Sequence, residues 1–141
     1  MKKLSLALVL NLLVFPAAIA DTAVTLEING VTNTDGKMRM SVFDSKKAWL
    51  KTPMMGEWFD MTVADGVMTI EVQLPAGDYA FHVFQDLDNN GKMKTNFIGI
   101  PKEPTGVSRD AKGKFGPPKY KDAVVTVGEE PVTLPIRLTE I

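Results

Sequence analysis

The sequence predicts an all-β fold, a single antiparallel β-sandwich of about seven short strands. Three observations predict it: apolar and polar residues alternate along most of the chain, turn-forming residues separate these runs, and helical periodicity is nearly absent. The chain has 141 residues, of which 45% are hydrophobic and 23% charged. This composition fits one globular domain and excludes a disordered or fibrous chain.

Apolar and polar side chains alternate in four runs, and each run predicts a strand with one face buried and the other exposed. They are residues 24–28, 38–42, 68–74 and 132–138. Pro135 lies in the last run and has no N–H to donate, so we expect that strand at a sheet edge or with the side of Pro135 unpaired.

The remaining strands are predicted from other signals. Residues 79–84 are apolar at nearly every position, which predicts a central strand covered on both faces. Residues 123–127 are β-branched and predict a short strand. Asp65-Gly66 predicts a hairpin between a short strand at residues 61–63 and a strand at residues 67–74.

Residues 1–20 are typical of a secretory signal peptide, with Lys2 and Lys3 before an apolar run and small residues up to Ala20. The apolar run is shorter than the roughly 20 residues that a membrane-spanning helix needs, so we expect cleavage after Ala20. The predicted mature domain, residues 21–141, is then periplasmic or secreted. It has no transmembrane segment after cleavage.

Charge and cysteine content exclude several functions. Without Lys2 and Lys3 the chain has 14 basic and 17 acidic side chains, so the mature domain is slightly acidic and we expect no nucleic-acid partner. The absence of cysteine excludes disulfides, thiol catalysis and Cys-ligated zinc.

Residues 86–121 break the strand pattern, since they are rich in glycine and proline and show no sustained alternation. Connections of this length are uncommon in compact domains and are often functional. We expect one long ordered loop, clamped over one end of the sandwich by its apolar side chains. These anchors are Phe97, Ile98, Ile100, Phe115 and Tyr120.

The loop begins with an acidic turn that matches the first half of an EF-hand calcium loop, D-x-D-x-N-G. Asp86, Asp88 and Asn90 are the candidate metal ligands. The second half does not match, because Lys94 occupies the ninth position and Phe97 the twelfth, where a bidentate glutamate is needed. We therefore interpret the segment as a structural turn and expect no cofactor, with weak calcium binding as the alternative.

The sequence predicts no catalytic residues. His82 is the single histidine and lies in a predicted strand, which favours a packed or hydrogen-bonded side chain over a zinc ligand. A hydrolase that uses Asp86, Asp88 or Glu103 would need a supporting constellation, which the sequence does not provide. We therefore expect that the protein is not an enzyme.

Two motifs in the long loop, G-I-P-K-E at residues 99–103 and F-G-P-P at residues 115–118, carry a family resemblance. The chain resembles the uncharacterised secreted bacterial proteins grouped as domain of unknown function family 2141. The resemblance implies an extracytoplasmic β-sandwich of transthyretin-like or immunoglobulin-like type, and it implies no particular activity.

The function that the sequence favours is a non-enzymatic binding or interaction module whose working surface is residues 86–121. Lys102, Glu103, Arg109 and Lys119 are the polar groups that we expect to contact the partner. The second half of the loop is basic, so the partner is expected to be a protein, a glycan or a small anionic ligand of the cell envelope. The alternative is a calcium-stabilised structural domain organised by the acidic turn.

Overall fold

The computed structural model describes residues 13–14 and 19–140. The predicted signal peptide therefore lies almost entirely outside the described residues. No helix in the described part is long and apolar enough to cross a membrane.

In the described part of the chain, nine strands form two sheets. They are β1 (Thr22–Asn29), β2 (Lys37–Phe43), β3 (Met55–Asp60), β4 (Val63–Ala64), β5 (Val67–Leu74), β6 (Gly77–Asp86), β7 (Thr105–Val107), β8 (Val125–Val127) and β9 (Val132–Arg137). The first sheet has the order β4-β5-β1-β9, and the second has β3-β2-β6-β7 with β8 also paired to β6. A short helix, α1 (Tyr120–Ala123), precedes β8.

The prediction of about seven strands is wrong, because the described residues form nine. The two strands that were not predicted, β3 and β7, show no alternation of apolar and polar residues. The sheets are also not purely antiparallel, since β9 pairs with β1 in parallel. The expected edge position of the last strand is confirmed, and Pro135 lies on it opposite Glu27. The Asp65-Gly66 hairpin is confirmed between β4 and β5.

The inward faces of the two sheets share one hydrophobic core, because alternation places every second side chain on the same face. The first sheet contributes Leu26 and Ile70, and the second contributes Met40 and Phe81. Both sheets and both buried clusters lie within residues 22–138, so a chain that starts at residue 21 retains every strand.

A second, smaller cluster covers the outer face of the second sheet near the start of β6. Trp49 packs edge-on against Phe43 and Tyr120, and its Nε1 donates a hydrogen bond of 2.8 Å to the carbonyl oxygen of Pro118. Ser108 Oγ accepts from Phe81 N and donates to the carbonyl oxygen of Ala123. These contacts hold both ends of residues 108–123 on this face.

The segment 86–121 is therefore not one loop over one end of the domain. Its first part, residues 86–103, extends beyond the end of β6, and then β7 pairs with β6 and carries the chain back along the sheet. The remainder contains a 3₁₀ turn, Ser108–Asp110, and leads into α1. The two halves of the segment lie at different positions along β6.

Candidate functional site

The candidate site forms where β6 ends and β7 begins. The antiparallel register places Phe84 opposite Thr105, and the backbone of Gln85 then bonds to Pro104 at 2.9 Å. One step further, the same register brings Asp86 and Glu103 together. Both side chains are buried, with 1% and 2% of their surface exposed.

Asp86 organises the acidic turn by accepting hydrogen bonds from the backbone. Its Oδ1 accepts from Asn90 N at 3.2 Å, and its Oδ2 accepts from Gly91 N at 2.7 Å. The side-chain oxygen of Asn90 accepts a hydrogen bond from Lys92 N, and its amide nitrogen donates one to the Asp88 carboxylate. Of the three predicted metal ligands, Asn90 therefore stabilises the turn and does not direct its oxygen toward the carboxylates.

Glu103 joins the acidic turn to the segment that follows it. Its Oε1 accepts a hydrogen bond of 3.0 Å from Leu87 N, and its Oε2 accepts one of 2.9 Å from Lys94 N. Bonds from backbone N–H groups to a carboxylate are stronger than those to a neutral acceptor. The sequence predicts Glu103 as a polar group that contacts the partner, but the structure buries its side chain as a cross-link within the segment.

Asp86, Asp88 and Glu103 form a carboxylate cluster in which one oxygen of each lies within 4.8 Å of the others. Three carboxylates at such distances can surround a hard cation such as calcium, which prefers oxygen ligands. Beside this acidic cluster is an open cleft of about 240 Å³, lined also by Leu87, Lys94 and Lys102. The ammonium groups of the lysines bring positive charge to the same cleft.

The part of Glu103 in the acidic cluster is not visible in the EF-hand motif, because that motif ends at its twelfth position, Phe97. The signal that could have found it is the pairing of β7 with β6. Once Thr105 is placed opposite Phe84, counting outward along both strands puts Glu103 opposite Asp86.

The turn at residues 33–36 packs against the end of β6, next to the acidic cluster. The Gln85 side chain is buried, and its Nε2 donates to Asn33 Oδ1 at 2.9 Å and to the carbonyl oxygen of Asp35 at 2.8 Å. Gly36 follows this turn with φ +69°, so close to the backbone of Asp86 that a Cβ would overlap its carbonyl oxygen. Residues 33–36 thereby fix the end of β6.

Residues 94–102 form a tight hairpin, which we call the apolar hairpin. Thr95 and Pro101 form a β-bridge, and Asn96 Oδ1 accepts hydrogen bonds from the backbone of Ile98 and Ile100 at 3.0 and 2.9 Å. Lys102 N donates to the carbonyl oxygen of Lys94 at 2.7 Å, which closes the base.

The tip of the apolar hairpin points into solvent. Phe97 is 98% exposed, Ile98 65% and Ile100 39%. The expectation that these side chains anchor the loop is therefore wrong, and Phe115, in the second half of the segment, is also fully exposed. Of the expected anchors, Tyr120 alone packs against a buried cluster.

The two basic residues predicted in the second half of the segment lie apart from the acidic cluster. Arg109 is exposed, and its Nη1 reaches the carbonyl oxygen of Val124 at 3.5 Å. Lys119 is exposed just before α1. Because β7 separates Arg109 from Lys102, the structure does not join the four predicted ligand-binding residues into one site.

His82 lies on the outer face of the second sheet, next to Phe84, with its Nε2 2.9 Å from Thr105 Oγ1. Burial disfavours the charged ring and lowers the pKa of His82 from the ordinary 6.5 to about 4. The neutral imidazole acts here as a hydrogen-bonded strand residue. No metal-ligating cluster of the described residues includes it.

The family model for uncharacterized proteins conserved in bacteria, DUF2141, matches residues 26–134. This span runs from β1 into β9 and includes the acidic cluster, the apolar hairpin and α1. No curated protein and no solved structure matches the chain.

Proposed function

The chain belongs to this family of uncharacterized bacterial proteins, and we propose that it is an exported binding module without catalytic activity. Its two sheets form a rigid sandwich that carries the interaction surface in residues 86–121. The partner is a protein, a glycan or an anionic ligand of the cell envelope. Within the segment, the apolar hairpin is the part that contacts the partner.

The observation that carries this proposal is the exposure of large apolar side chains on a turn of defined conformation. Phe97 and Ile98 lie in solvent, although the hydrogen bonds of Asn96 hold their backbone in place. Glu103 fixes the base of the hairpin to the end of β6 through Lys94 N. A contiguous patch of exposed apolar side chains, as Phe97 and Ile98 form, is typical of an interaction surface, and a preformed surface loses less entropy on binding.

Site-specific photo-crosslinking tests this proposal. A photoreactive phenylalanine analogue at position 97, in cells that produce the protein, is expected to yield a defined adduct on irradiation. The same analogue at position 69 is the matched control, because Thr69 is exposed on β5 in the other sheet. Equal labelling from both positions, or none from position 97, would contradict the proposal.

The second candidate function is a calcium-stabilised structural domain, which the convergence of Asp86, Asp88 and Glu103 favours. The carboxylates of Asp86 and Glu103 already accept backbone hydrogen bonds, but each oxygen retains a second lone pair for a cation. Calcium there would neutralise three neighbouring negative charges and hold the acidic turn to the base of the apolar hairpin.

Calcium is expected to raise the melting temperature if this second function is correct. At a concentration ten times the dissociation constant, a ligand that binds only the folded state adds about 1.4 kcal/mol. For a domain of this size that is about 5 °C, measurable by calorimetry with chelator and then with calcium. Asp88→Asn should abolish the shift and Glu129→Gln, an exposed acid elsewhere, should retain it. An unchanged melting temperature for the original chain would exclude the calcium role.

A further inference from the structure

We infer that the apolar hairpin docks onto an anionic phospholipid surface, with Phe97 and Ile98 entering the interfacial region of the bilayer. This inference rests on the proposed binding role of residues 86–121 and names the partner of that surface. It is carried by two independent features of the hairpin, its exposed apolar tip and the lysines at its base.

The shape of the tip suits shallow insertion into a bilayer. Phe97 and Ile98 are adjacent and exposed, and Gly99 turns the chain back with φ +85° and open space around it. Within the turn, Asn96 Oδ1 and the carbonyl oxygen of Ile100 accept backbone N–H groups. Satisfied backbone groups lower the cost of moving a turn out of water.

The exposed charged side chains between the acidic turn and Glu103 are positive. Lys92, Lys94 and Lys102 are exposed, and no acidic residue occurs between Asp88 and Glu103. Lys94 and Lys102 lie opposite each other at the hairpin base and line the cleft beside Asp88 and Glu103, so part of their charge is balanced within the protein. Anions of a lipid surface would attract the exposed ammonium groups of all three lysines.

The pairing of these features favours a lipid over a protein partner. Protein–protein interfaces are depleted of lysine near their apolar centres. At a membrane surface, apolar side chains enter the acyl boundary while lysines extend to the headgroups. Residues 92–121 carry eight basic and two acidic side chains, although residues 21–141 as a whole are slightly acidic. Three of these basic residues, Lys92, Lys94 and Lys102, belong to the half of the segment that bears Phe97.

Vesicle co-sedimentation tests the inference, with residues 21–141 as the protein so that the apolar leader does not contribute. Vesicles of phosphatidylcholine with about 30% phosphatidylglycerol are expected to bind the chain, and neutral phosphatidylcholine vesicles to bind it much less. Phe97→Ser should weaken binding at least about tenfold, because it removes the aromatic side chain that we infer to enter the bilayer. Sodium chloride at about 0.5 M should also weaken it.

Phe115→Ser is the matched control, because Phe115 is equally exposed and has Lys114 beside it but lies in the other half of the segment. We expect this variant to bind like the original chain. Failure to bind anionic vesicles, or loss with Phe115→Ser but not with Phe97→Ser, would overturn the inference. If vesicles fail but position 97 still crosslinks to a protein, the lipid assignment falls while the binding role stands. If position 97 also yields no adduct, both fall.

Discussion

Replacing Gly36 with alanine is expected to lower the free energy of unfolding by about 4 kcal/mol. The residue has φ +69°, which strains any L side chain, and the added Cβ would overlap the carbonyl oxygen of Asp86 and lie 2.7 Å from its carbonyl carbon. Both obstacles are backbone atoms, so no side-chain rotation can relieve them. Chemical denaturation of the variant, monitored by tryptophan fluorescence, measures the loss.

Gly66 provides the matched control for this effect. It has φ +75°, but the nearest atom to an added Cβ is the carbonyl oxygen of Val31 at 3.8 Å, an ordinary contact. Gly66→Ala should therefore cost only the left-handed strain, about 1 kcal/mol. Equal losses for the two variants would show that the close approach of residue 36 to Asp86 does not contribute to stability.

The stability of the fold is expected to fall with acid because of His82. Its pKa is about 4 in the folded state and about 6.5 when unfolded, so below pH 6.5 the unfolded chain takes up a proton that the folded chain excludes. The contribution of His82 is present above pH 6.5 and is lost as the pH falls toward 4, by about 3 kcal/mol in all. Denaturation at a series of pH values measures this slope.

His82→Gln separates this effect from the titration of carboxylates. Glutamine stays neutral and can still form a hydrogen bond with Thr105, so the variant should lose the histidine part of the slope between pH 6.5 and 4. Below pH 4 the two curves should run parallel, because both states of His82 are then protonated. Curves that run parallel throughout would show that His82 titrates alike in the folded and unfolded chains.

The sequence predicted which residues are buried better than it predicted which strands are partners. Alternation at residues 68–74 correctly identified the face that packs into the core, since that choice depends on local period alone. It could not show that β9 pairs with β1 in parallel, because nothing near residue 132 encodes a strand at residue 22. β7 was missed because three residues are too few to show a period.

The candidate site was predicted in part for the same reason. The carboxylates of Asp86 and Asp88 belong to one local motif, and the sequence revealed them. Glu103 enters the acidic cluster only through the pairing of β7 with β6. The exposure of Phe97 was also hidden, because an aromatic residue in a glycine-rich segment suggests an anchor until the turn around it is known.

The parallel pairing of β9 with β1 has a consequence for the order of folding. The first strand hydrogen-bonds to a strand more than 100 positions later, so the four-stranded sheet cannot be complete before β9 has been synthesised. The strands between them can pair earlier, β5 with β1 and β2 with β6, but the edge of β1 that faces β9 then remains unpaired. High contact order of this kind slows folding to milliseconds or longer. The first sheet therefore stays incomplete until β9 is available.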